Sequence, residues 1–216
     1  MLKSLKYFLN NPLRLPIVLI TKTVPFFRFI YETADYQNRP DFEFWFKQKV
    51  LNWGGNRRAY WPVHWTSKVY DPERIIVGID SCPGIMGGCY ITGRAGLVID
   101  DYTQIGPNVV IVTANHDPYD LRVPVEGPIK IGKYCWIGAG AKIMPDVILG
   151  DWTTVAAGAV VTKPFAEGHC IVAGVPARKV KDLEKEKCIP YKAMHAYYGY
   201  IPAHKFERFR KRKFNV

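Results

Sequence analysis

The sequence lacks the cysteine pairs that a disulfide framework or a zinc centre requires. Its five cysteines are odd in number, and no two follow the Cys-x-x-Cys spacing. Both kinds of cysteine-based scaffold are therefore poor explanations of the chain. Unpaired cysteines are typical of a reducing compartment, where a buried thiol packs as a small apolar group. We expect a cytoplasmic protein that holds no metal.

The chain also lacks an uncharged apolar run of membrane-spanning length. Its most apolar stretch, residues 13–31, is interrupted by three cations and two prolines. Because a spanning helix needs about 20 predominantly apolar residues, no transmembrane helix is expected. Pro12 and Pro16 interrupt the N-terminal segment and no small-residue cleavage site follows, so no signal peptide is expected either.

Acidic residues are scarce relative to basic ones. The chain has 30 Lys and Arg against 19 Asp and Glu, a formal net charge of +11. The excess lies at the two ends, at Lys3, Lys6, Arg14, Lys22 and Arg28, and at Lys205, Arg208, Arg210, Lys211, Arg212 and Lys213. A solvated basic tail and peripheral contact with anionic lipid at the inner face of a membrane both remain open. No recognised nucleic-acid module accompanies the charge, so no nucleic-acid partner is expected.

What the sequence does contain is a branched aliphatic residue at every sixth position. These anchor residues are Ile99, Ile105 and Ile111, and then Ile131, Ile137, Ile143, Leu149, Val155 and Val161. A helix repeats every 3.6 residues and a half-buried strand every 2, so a period of six predicts a solenoid of short strands. Ordinary sandwich strands with coincidental spacing are the alternative, and six consecutive matches argue against it.

Two further columns accompany the anchors. The residue four positions after each anchor from Ile99 to Val155 is small or narrow, at Thr103, Val109, Asn115, Cys135, Ala141, Val147, Thr153 and Ala159. Glycine often follows the anchor directly, at Gly106, Gly132, Gly138 and Gly150. One large aliphatic side chain would fill each short strand's share of a narrow interior. We expect the small residue near a corner, and glycine where a tight corner demands special backbone angles.

The pattern divides the chain into three regions. Residues 1–70 are expected to be helical and irregular, residues 71–178 to form the coil, and residues 179–216 to form a helix and a basic tail. The C-terminal helix is expected within residues 179–187. Residues 117–130 interrupt the hexads with polar residues and prolines, which predicts a projecting loop.

The N-terminal region contains one clear helical pattern. Aromatic residues fall at helical spacing across residues 41–53, and Asp41 after Pro40 is placed to cap the helix that they predict. The aromatic stripe is expected to pack against the coil or a neighbouring subunit.

The stretches YTQIGPNVVIVTANHD, IGKYCWIGAGAKIMPDVILGD and AGVPARKVK resemble the hexapeptide-repeat acyltransferases, most closely the maltose, galactoside and polysaccharide O-acetyltransferases. The resemblance covers about residues 77–181. It implies an all-β solenoid, a left-handed parallel β-helix, which is an exception to the right-handed crossover rule. It further implies a homotrimer and acetyl-CoA as the cosubstrate.

His116 is the residue on which the chemistry depends. It stands where the chain leaves the hexads for the predicted loop, and a scaffold edge beside a loop is a common place for catalytic groups. The resemblance implies that it is the general base, with a surface histidine in a turn as the alternative. Asp117, Asp120 or a backbone carbonyl could orient its other ring nitrogen. Asn115 could contact the substrate or serve corner geometry.

The resemblance also implies where coenzyme A lies. Trp136 matches a tryptophan on the outer wall near the thiol end, although packing between subunits is equally open. Ala139 and Ala157 match positions whose backbone groups contact the pantetheine arm. The pyrophosphate and 3′-phosphate need cations and donors, expected at Thr162, Lys163, Arg178 and Lys181.

On the acceptor side the chain departs from the family. Arg94 stands where an acidic residue is expected, so only Asp80 is noted as a candidate. No Gly-x-Ser-x-Gly is present and Cys135 falls in an apolar column, which favours direct transfer. We therefore expect an acetyl-CoA-dependent O-acetyltransferase acting on a sugar or glycan hydroxyl, in surface-polysaccharide or lipid-linked oligosaccharide synthesis.

Three other functions are alternatives to this one. A xenobiotic O-acetyltransferase that acts on an antibiotic hydroxyl would share the Asn-His pair before a loop. A carbonic-anhydrase-like β-helix would need several histidines, and only His116 lies in the regular hexads. A non-catalytic scaffold would use the same fold only to bind partners.

Overall fold

Short strands dominate the computed structural model, which describes residue 21, residues 23–39 and residues 41–214. The strands are β1 Lys68–Tyr70, β2 Ile75–Val77, β3 Tyr90–Thr92, β4 Leu97–Ile99, β5 Gln104–Ile105, β6 Val110–Ile111, β7 Ala114–His116, β8 Pro124–Glu126, β9 Ile129–Ile131, β10 Trp136–Ile137, β11 Lys142–Ile143, β12 Ile148–Leu149, β13 Thr153–Val155, β14 Val160–Val161, β15 Cys170–Gly174, β16 Ala177–Asp182, β17 Tyr197–Tyr198 and β18 Ile201–Pro202.

The strands of the repeat form three parallel sheets, which we call faces A, B and C. Face A has the order β1-β3-β6-β11-β14, face B has β2-β4-β9-β12, and face C has β5-β10-β13-β15. The chain visits A, B and C in turn, so each circuit is one turn of a three-sided coil. The predicted solenoid of stacked parallel strands is confirmed, and its first strand begins at Lys68.

The anchor residues fill the interior of the coil. From Ile131 to Val161, every anchor is 1% exposed or less. On face A, Ile143 lies in register between Ile111 and Val161 on the neighbouring turns. Fully burying one such side chain stabilises a fold by about 1.5–3 kcal/mol. Regular stacking of aliphatic side chains therefore supplies most of the coil's core.

Glycine follows the anchors for a physical reason other than the predicted one. None of these four glycines has a positive φ. A Cβ at Gly138 would lie 2.6 Å from the backbone nitrogen of Ala157 on the next turn. Glycine is needed there because two turns of backbone approach each other closely. Left-handed backbone falls at other corner positions instead, including Gly140 and Gly158.

An aromatic column runs along the corner between faces B and C. Tyr102, Tyr134 and Trp152 occupy equivalent left-handed positions on successive turns, with φ of 60°, 54° and 59°. Their rings stack with centroids 5.2 Å and 4.6 Å apart. Tyr191 from the C-terminal segment packs against this column, and its carbonyl accepts a hydrogen bond from the Tyr134 hydroxyl. The C-terminal segment is thereby fastened to the coil.

The N-terminal region contributes helices α1 (Phe29–Glu32) and α2 (Phe42–Lys49) and the 3₁₀ turns Pro25–Arg28 and Trp53–Gly55. Asp41 caps α2 as predicted, because its carboxylate accepts a hydrogen bond of 2.7 Å from the Phe44 backbone N–H. The helix is shorter than the aromatic pattern indicated. Trp45 packs edge-on against Phe27, 4.9 Å between ring centroids.

The helix predicted within residues 179–187 is wrong. Ala177–Asp182 forms β16, which pairs antiparallel with β15 at the edge of face C, and Lys185–Lys187 is a 3₁₀ turn. The open edge of a sheet offers a row of backbone partners that outweighs the helix propensity of a charged segment. The C-terminal helix lies further on, as α3 (Ala203–Phe214).

Within the described ranges, no helix combines the length and hydropathy that crossing a bilayer requires. Pro12, Pro16, residues 13–20 and 22 of the apolar stretch, and the cations Lys3, Lys6, Arg14 and Lys22 lie outside the described residues.

Candidate active site

The predicted loop projects from the corner between faces A and B, and its base is a β-hairpin. β7 and β8 pair antiparallel, with Asn115 opposite Val125 and His116 opposite Pro124. The tip is open to solvent, where Tyr119 is 98% exposed. His116 thus stands on a two-stranded arm outside the coil.

A buried threonine fixes the base of this arm. The Thr113 hydroxyl donates to the Thr92 carbonyl and accepts from the Ala95 N–H, both at 3.1 Å. Its carbonyl accepts from the Gly127 N–H at 2.9 Å, so the two ends of the hairpin are joined. The side chain is fully buried. Thr113 therefore ties the hairpin to the turn of the coil below.

The geometry around His116 decides which ring nitrogen carries the proton. Its Nδ1 lies 2.7 Å from the backbone carbonyl oxygen of Leu121. A carbonyl only accepts, so Nδ1 donates and Nε2 is left as the acceptor. The ring is exposed, so Nε2 is accessible to a reacting group. Of the three orienting partners left open by the sequence, the structure selects the backbone carbonyl.

Asp117 does not orient the imidazole directly. Its carboxylate accepts hydrogen bonds from the backbone N–H groups of Tyr119 at 2.7 Å and Asp120 at 3.1 Å. It shapes the turn that brings the Leu121 carbonyl to the ring. Asp120 is engaged by Arg122. Asp117 therefore acts on the imidazole indirectly, through the turn that carries the Leu121 carbonyl.

Asn115 lies beside His116 on β7, and its side chain is exposed. The chain has already left the coil at this point, whereas the other members of the small-residue column are buried inside it. The corner-geometry interpretation of Asn115 is therefore wrong. Its amide is free to face a ligand at the hairpin.

Trp136 lies on the outer wall of face C, where it is 47% exposed. The strand register puts Thr154 and Ile171 in the same outward row on the next two turns, and Lys181 beside Ile171 on the antiparallel edge strand β16. At about 4.8 Å per strand, Lys181 stands roughly 15 Å from Trp136 along the coil. Trp136 and Lys181 thus lie at the two ends of one outward-facing row of side chains on face C.

Ala139 and Ala157 lie one above the other at the corner between faces C and A. Both are exposed. The Ala139 carbonyl accepts from the Gly158 N–H at 2.8 Å, but within the described ranges neither alanine N–H has an acceptor. Backbone N–H groups without an acceptor in the described structure, at two successive turns, are candidates to bind the amide carbonyls of an extended ligand.

The predicted phosphate-binding residues fall into two groups. Arg178 pairs with Ala173 at the edge of face C, close to the row that ends at Lys181. Thr162 and Lys163 follow β14 of face A, towards the corner where the hairpin projects. All four are exposed. Within one chain, Arg178 and Lys181 therefore lie on the same face as Trp136. Thr162 and Lys163 lie after face A.

His116 and Trp136 are likewise on different sides of one chain. The hairpin leaves the corner between faces A and B, and Trp136 projects from face C, which is opposite that corner. Within one chain, the core of the coil therefore lies between His116 and Trp136.

Arg94 and Asp80, the acceptor-side positions, have unrelated environments. Arg94 Nε donates to Glu126 of β8 at 2.9 Å, so it contacts the hairpin. Asp80 is buried at the corner between faces B and C, beneath residues 37–38. Burial raises the pKa of its carboxyl to about 6, against hydrogen bonds from the backbone of Gln37 and Asn38. Asp80 is a part of the N-terminal packing.

Sequence reasoning did not identify two elements of this site. These elements are Thr113 and the Leu121 carbonyl. The position of Thr113 just before the break in the hexads is the sequence feature that could have indicated it. A backbone carbonyl has no sequence signature. Among the described residues, no group of three or more His, Cys, Asp or Glu side chains is arranged to hold a metal ion.

Comparison with known proteins agrees with the repeat. Residues 128–163 match the bacterial transferase hexapeptide family (six repeats), so the predicted resemblance is confirmed over that part of the chain. A putative acetyltransferase of Schizosaccharomyces pombe is 34% identical, covering 45% of this chain and 49% of its own length. Galactoside O-acetyltransferase of Escherichia coli is 37% identical, covering 40% and 47%. The chain spans about half the length of these curated relatives.

A solved structure shares the architecture. The maltose O-acetyltransferase of Clostridium difficile 630 superposes with a TM-score of 0.50 at 25% identity, covering 72% of this chain and 84% of that one. The stacked coil is thus an architecture that this chain shares with that solved structure.

Proposed function

We propose that the protein is an acetyl-CoA-dependent O-acetyltransferase that acts on a hydroxyl of a sugar or glycan, in surface-polysaccharide or lipid-linked oligosaccharide synthesis. The observation that carries the proposal is the tautomer of His116. Its Nδ1 lies within hydrogen-bonding distance of the Leu121 carbonyl, so in the neutral ring Nε2 is left to act as the base. The names of the matched relatives, a galactoside and a maltose O-acetyltransferase, support the same chemistry.

In this mechanism Nε2 of His116 takes the proton from the acceptor hydroxyl. The oxygen attacks the thioester carbonyl, the carbon–sulfur bond breaks, and the thiolate leaves with the proton that the imidazolium returns. The Leu121 carbonyl holds the ring during both transfers. Burial raises the pKa of the Cys135 thiol to about 12, which argues against a cysteinyl acyl-enzyme. Transfer is therefore direct.

The row from Trp136 to Lys181 supports coenzyme A binding along face C. Trp136 would pack on the thiol end, the free N–H groups of Ala139 and Ala157 would bind the pantetheine amides, and the cations would bind the phosphates. Arg178 adds a second cation at the far end. In this proposal the coil is left-handed, as in the resembling family.

The separation of His116 and Trp136 supports a homotrimer. Because the base and the coenzyme wall lie on different sides of one coil, a complete site needs the hairpin of one copy beside face C of the next. Lys163 and Thr162, which follow face A, would then serve the neighbouring copy. We also propose peripheral contact of the basic ends with the inner face of a membrane.

The decisive test is His116→Ala, assayed by thiol release from acetyl-CoA with sugars, glycans and hydroxyl-bearing antibiotics as acceptors. Loss of the base is expected to lower turnover by at least about a hundredfold. His195→Ala, another exposed histidine, is the matched control and should keep full turnover. Unchanged turnover in His116→Ala refutes the proposed mechanism, and a preference for the antibiotics favours a xenobiotic acetyltransferase.

A mixing experiment tests the shared site. His116→Ala and Ala157→Tyr, which blocks the exposed corner, should each be inactive alone. Co-refolded randomly as trimers, about a quarter of the sites would combine one intact hairpin with one intact corner. Recovery of about that fraction of activity is expected. No recovery, with mixed trimers verified, would place the whole site within one chain.

A further inference from the structure

The C-terminal helix α3 is strongly basic and packs on the coil through one apolar edge. It carries six lysines and arginines and a single acid, Glu207. Phe206 is buried, with its ring stacked on Tyr198 at 4.0 Å between centroids and tilted against Tyr60 at 5.5 Å. The helix is therefore held in place by aromatic contacts.

A pocket of about 440 Å³ separates α3 from the segment that precedes α1. Its apolar side includes Phe26, Ile201 and Phe209. Its other side is formed by Lys205, Arg208 and Arg212, which lie three and seven residues apart and so on one helical face. The pocket thus combines an apolar floor with a row of cations.

The charges of this row are not neutralised by the described part of the chain. Arg210 pairs with Glu207 at 3.6 Å, whereas Lys205, Arg208 and Arg212 have no ion pair among the described residues. Among the described residues that line the pocket, none is acidic. Phe26 is 55% exposed at the rim. A large exposed aromatic ring beside unpaired cations is unusual for a surface that contacts water alone.

We propose that this pocket binds the headgroup of an anionic phospholipid at a membrane surface. The lipid phosphate would contact the cation row, and the glycerol and first methylene groups would pack on Phe26 and Ile201. A free anion would use the cations and leave the apolar floor exposed, so the floor argues for an amphiphile. The inference rests on the proposed function only for the suggestion that the acceptor is attached to a membrane.

The test is co-sedimentation of the full chain with phosphatidylcholine vesicles, with and without phosphatidylglycerol. Binding is expected only to the anionic vesicles, and it should weaken at high salt. The variant K205Q/R208Q/R212Q should bind on the order of a hundredfold more weakly, because each cation near the surface contributes about a factor of five. Phe26→Ala should also weaken binding.

A matched control removes the same charge elsewhere. Lys185, Lys187 and Lys192 are exposed and lie outside the pocket, so K185Q/K187Q/K192Q should bind almost as the wild type does. Equal loss in both triple variants would overturn the proposal in favour of net charge alone. Wild-type binding by the pocket variant would also overturn it. Far-ultraviolet circular dichroism and thermal unfolding confirm that each variant is folded.

Two further arms separate the sources of phosphate and the two proposals. Inorganic phosphate at matched ionic strength should not displace the protein from vesicles; displacement would make this a free-anion site. His116→Ala should retain vesicle binding. Lost turnover with retained binding leaves both proposals standing, whereas full turnover in His116→Ala refutes only the acetyltransferase mechanism. Lost binding in the pocket variant without loss of soluble-acceptor turnover supports the lipid site alone.

Discussion

The coil and the hairpin that projects from it are stabilised in opposite ways. In the coil, each anchor is buried between equivalent residues of neighbouring turns, as Ile143 is between Ile111 and Val161. In the hairpin, the residues from Asn115 to Glu126 are exposed or half-buried, and few contacts hold them. The proposed base therefore lies on the less protected element, whose position depends on the rigid element beneath it. Such a division is common where function needs local adaptability.

The largest expected effect is on the coil. Ile143→Ala removes a fully buried side chain and should lower the free energy of unfolding by about 2–5 kcal/mol, because it leaves a cavity between two turns. Lys142→Ala on the same strand points outward and should change stability by less than about 0.5 kcal/mol. Urea unfolding measures both. Similar losses in the two variants would contradict the inside–outside alternation.

Asp80 is an exception to the apolar coil, and it gives stability a pH dependence. Burial raises the pKa of its carboxyl to about 6, from an ordinary 3.8. The folded state therefore holds a proton that the unfolded state has released, and stability from this group falls as the pH rises from about 4 to 6. Asp80→Asn should reduce the stability difference between pH 4.5 and pH 7 by about 2 kcal/mol. An identical pH profile in the variant would refute this linkage.

Thr113→Val tests the junction of the two regions. The valine cannot accept from the Ala95 N–H or donate to the Thr92 carbonyl, so stability should fall by about 1–2 kcal/mol. The hairpin base would shift, and turnover should fall by about tenfold. Thr103→Val is the matched control, because that buried hydroxyl bonds to Gly132 and Cys135 within the coil. Thr103→Val should lower the free energy of unfolding by a similar amount without lowering turnover. Equal losses of turnover in the two variants would show that Thr113 has no particular role in positioning the hairpin.

The smallest effect is expected at the exposed ion pair between Arg94 and Glu126. A double-mutant cycle of Arg94→Gln and Glu126→Gln should give a coupling of about 0.2–1 kcal/mol at low salt, decreasing as salt screens the charges. Unfolding by urea at two salt concentrations measures it. A larger, salt-independent coupling would mean that the pair is a principal fastening of the hairpin.

How far the sequence predicts the structure differs between these regions. Every anchor that the period identified from Ile131 to Val161 is buried, because each turn of the coil repeats one packing problem. Charged residues at 179–187 favour a helix locally, yet the segment joins face C as β16. Helix propensity depends only on the local sequence, so it does not reveal that a sheet edge is available for this segment to pair with. The orienting partner of His116 was undecidable for a similar reason, since the backbone carbonyl of Leu121 comes from a turn shaped by Asp117.

The sequence by itself determined the stacked coil, the break in it and the histidine at that break, because a strict period and its interruption are local properties. Only the tertiary structure decided that Thr113 anchors the hairpin, that Nε2 is the free nitrogen, and that His116 and Trp136 lie on different sides of one chain. Those facts depend on which atoms from separate turns come within hydrogen-bonding distance, and a linear pattern does not specify such distances.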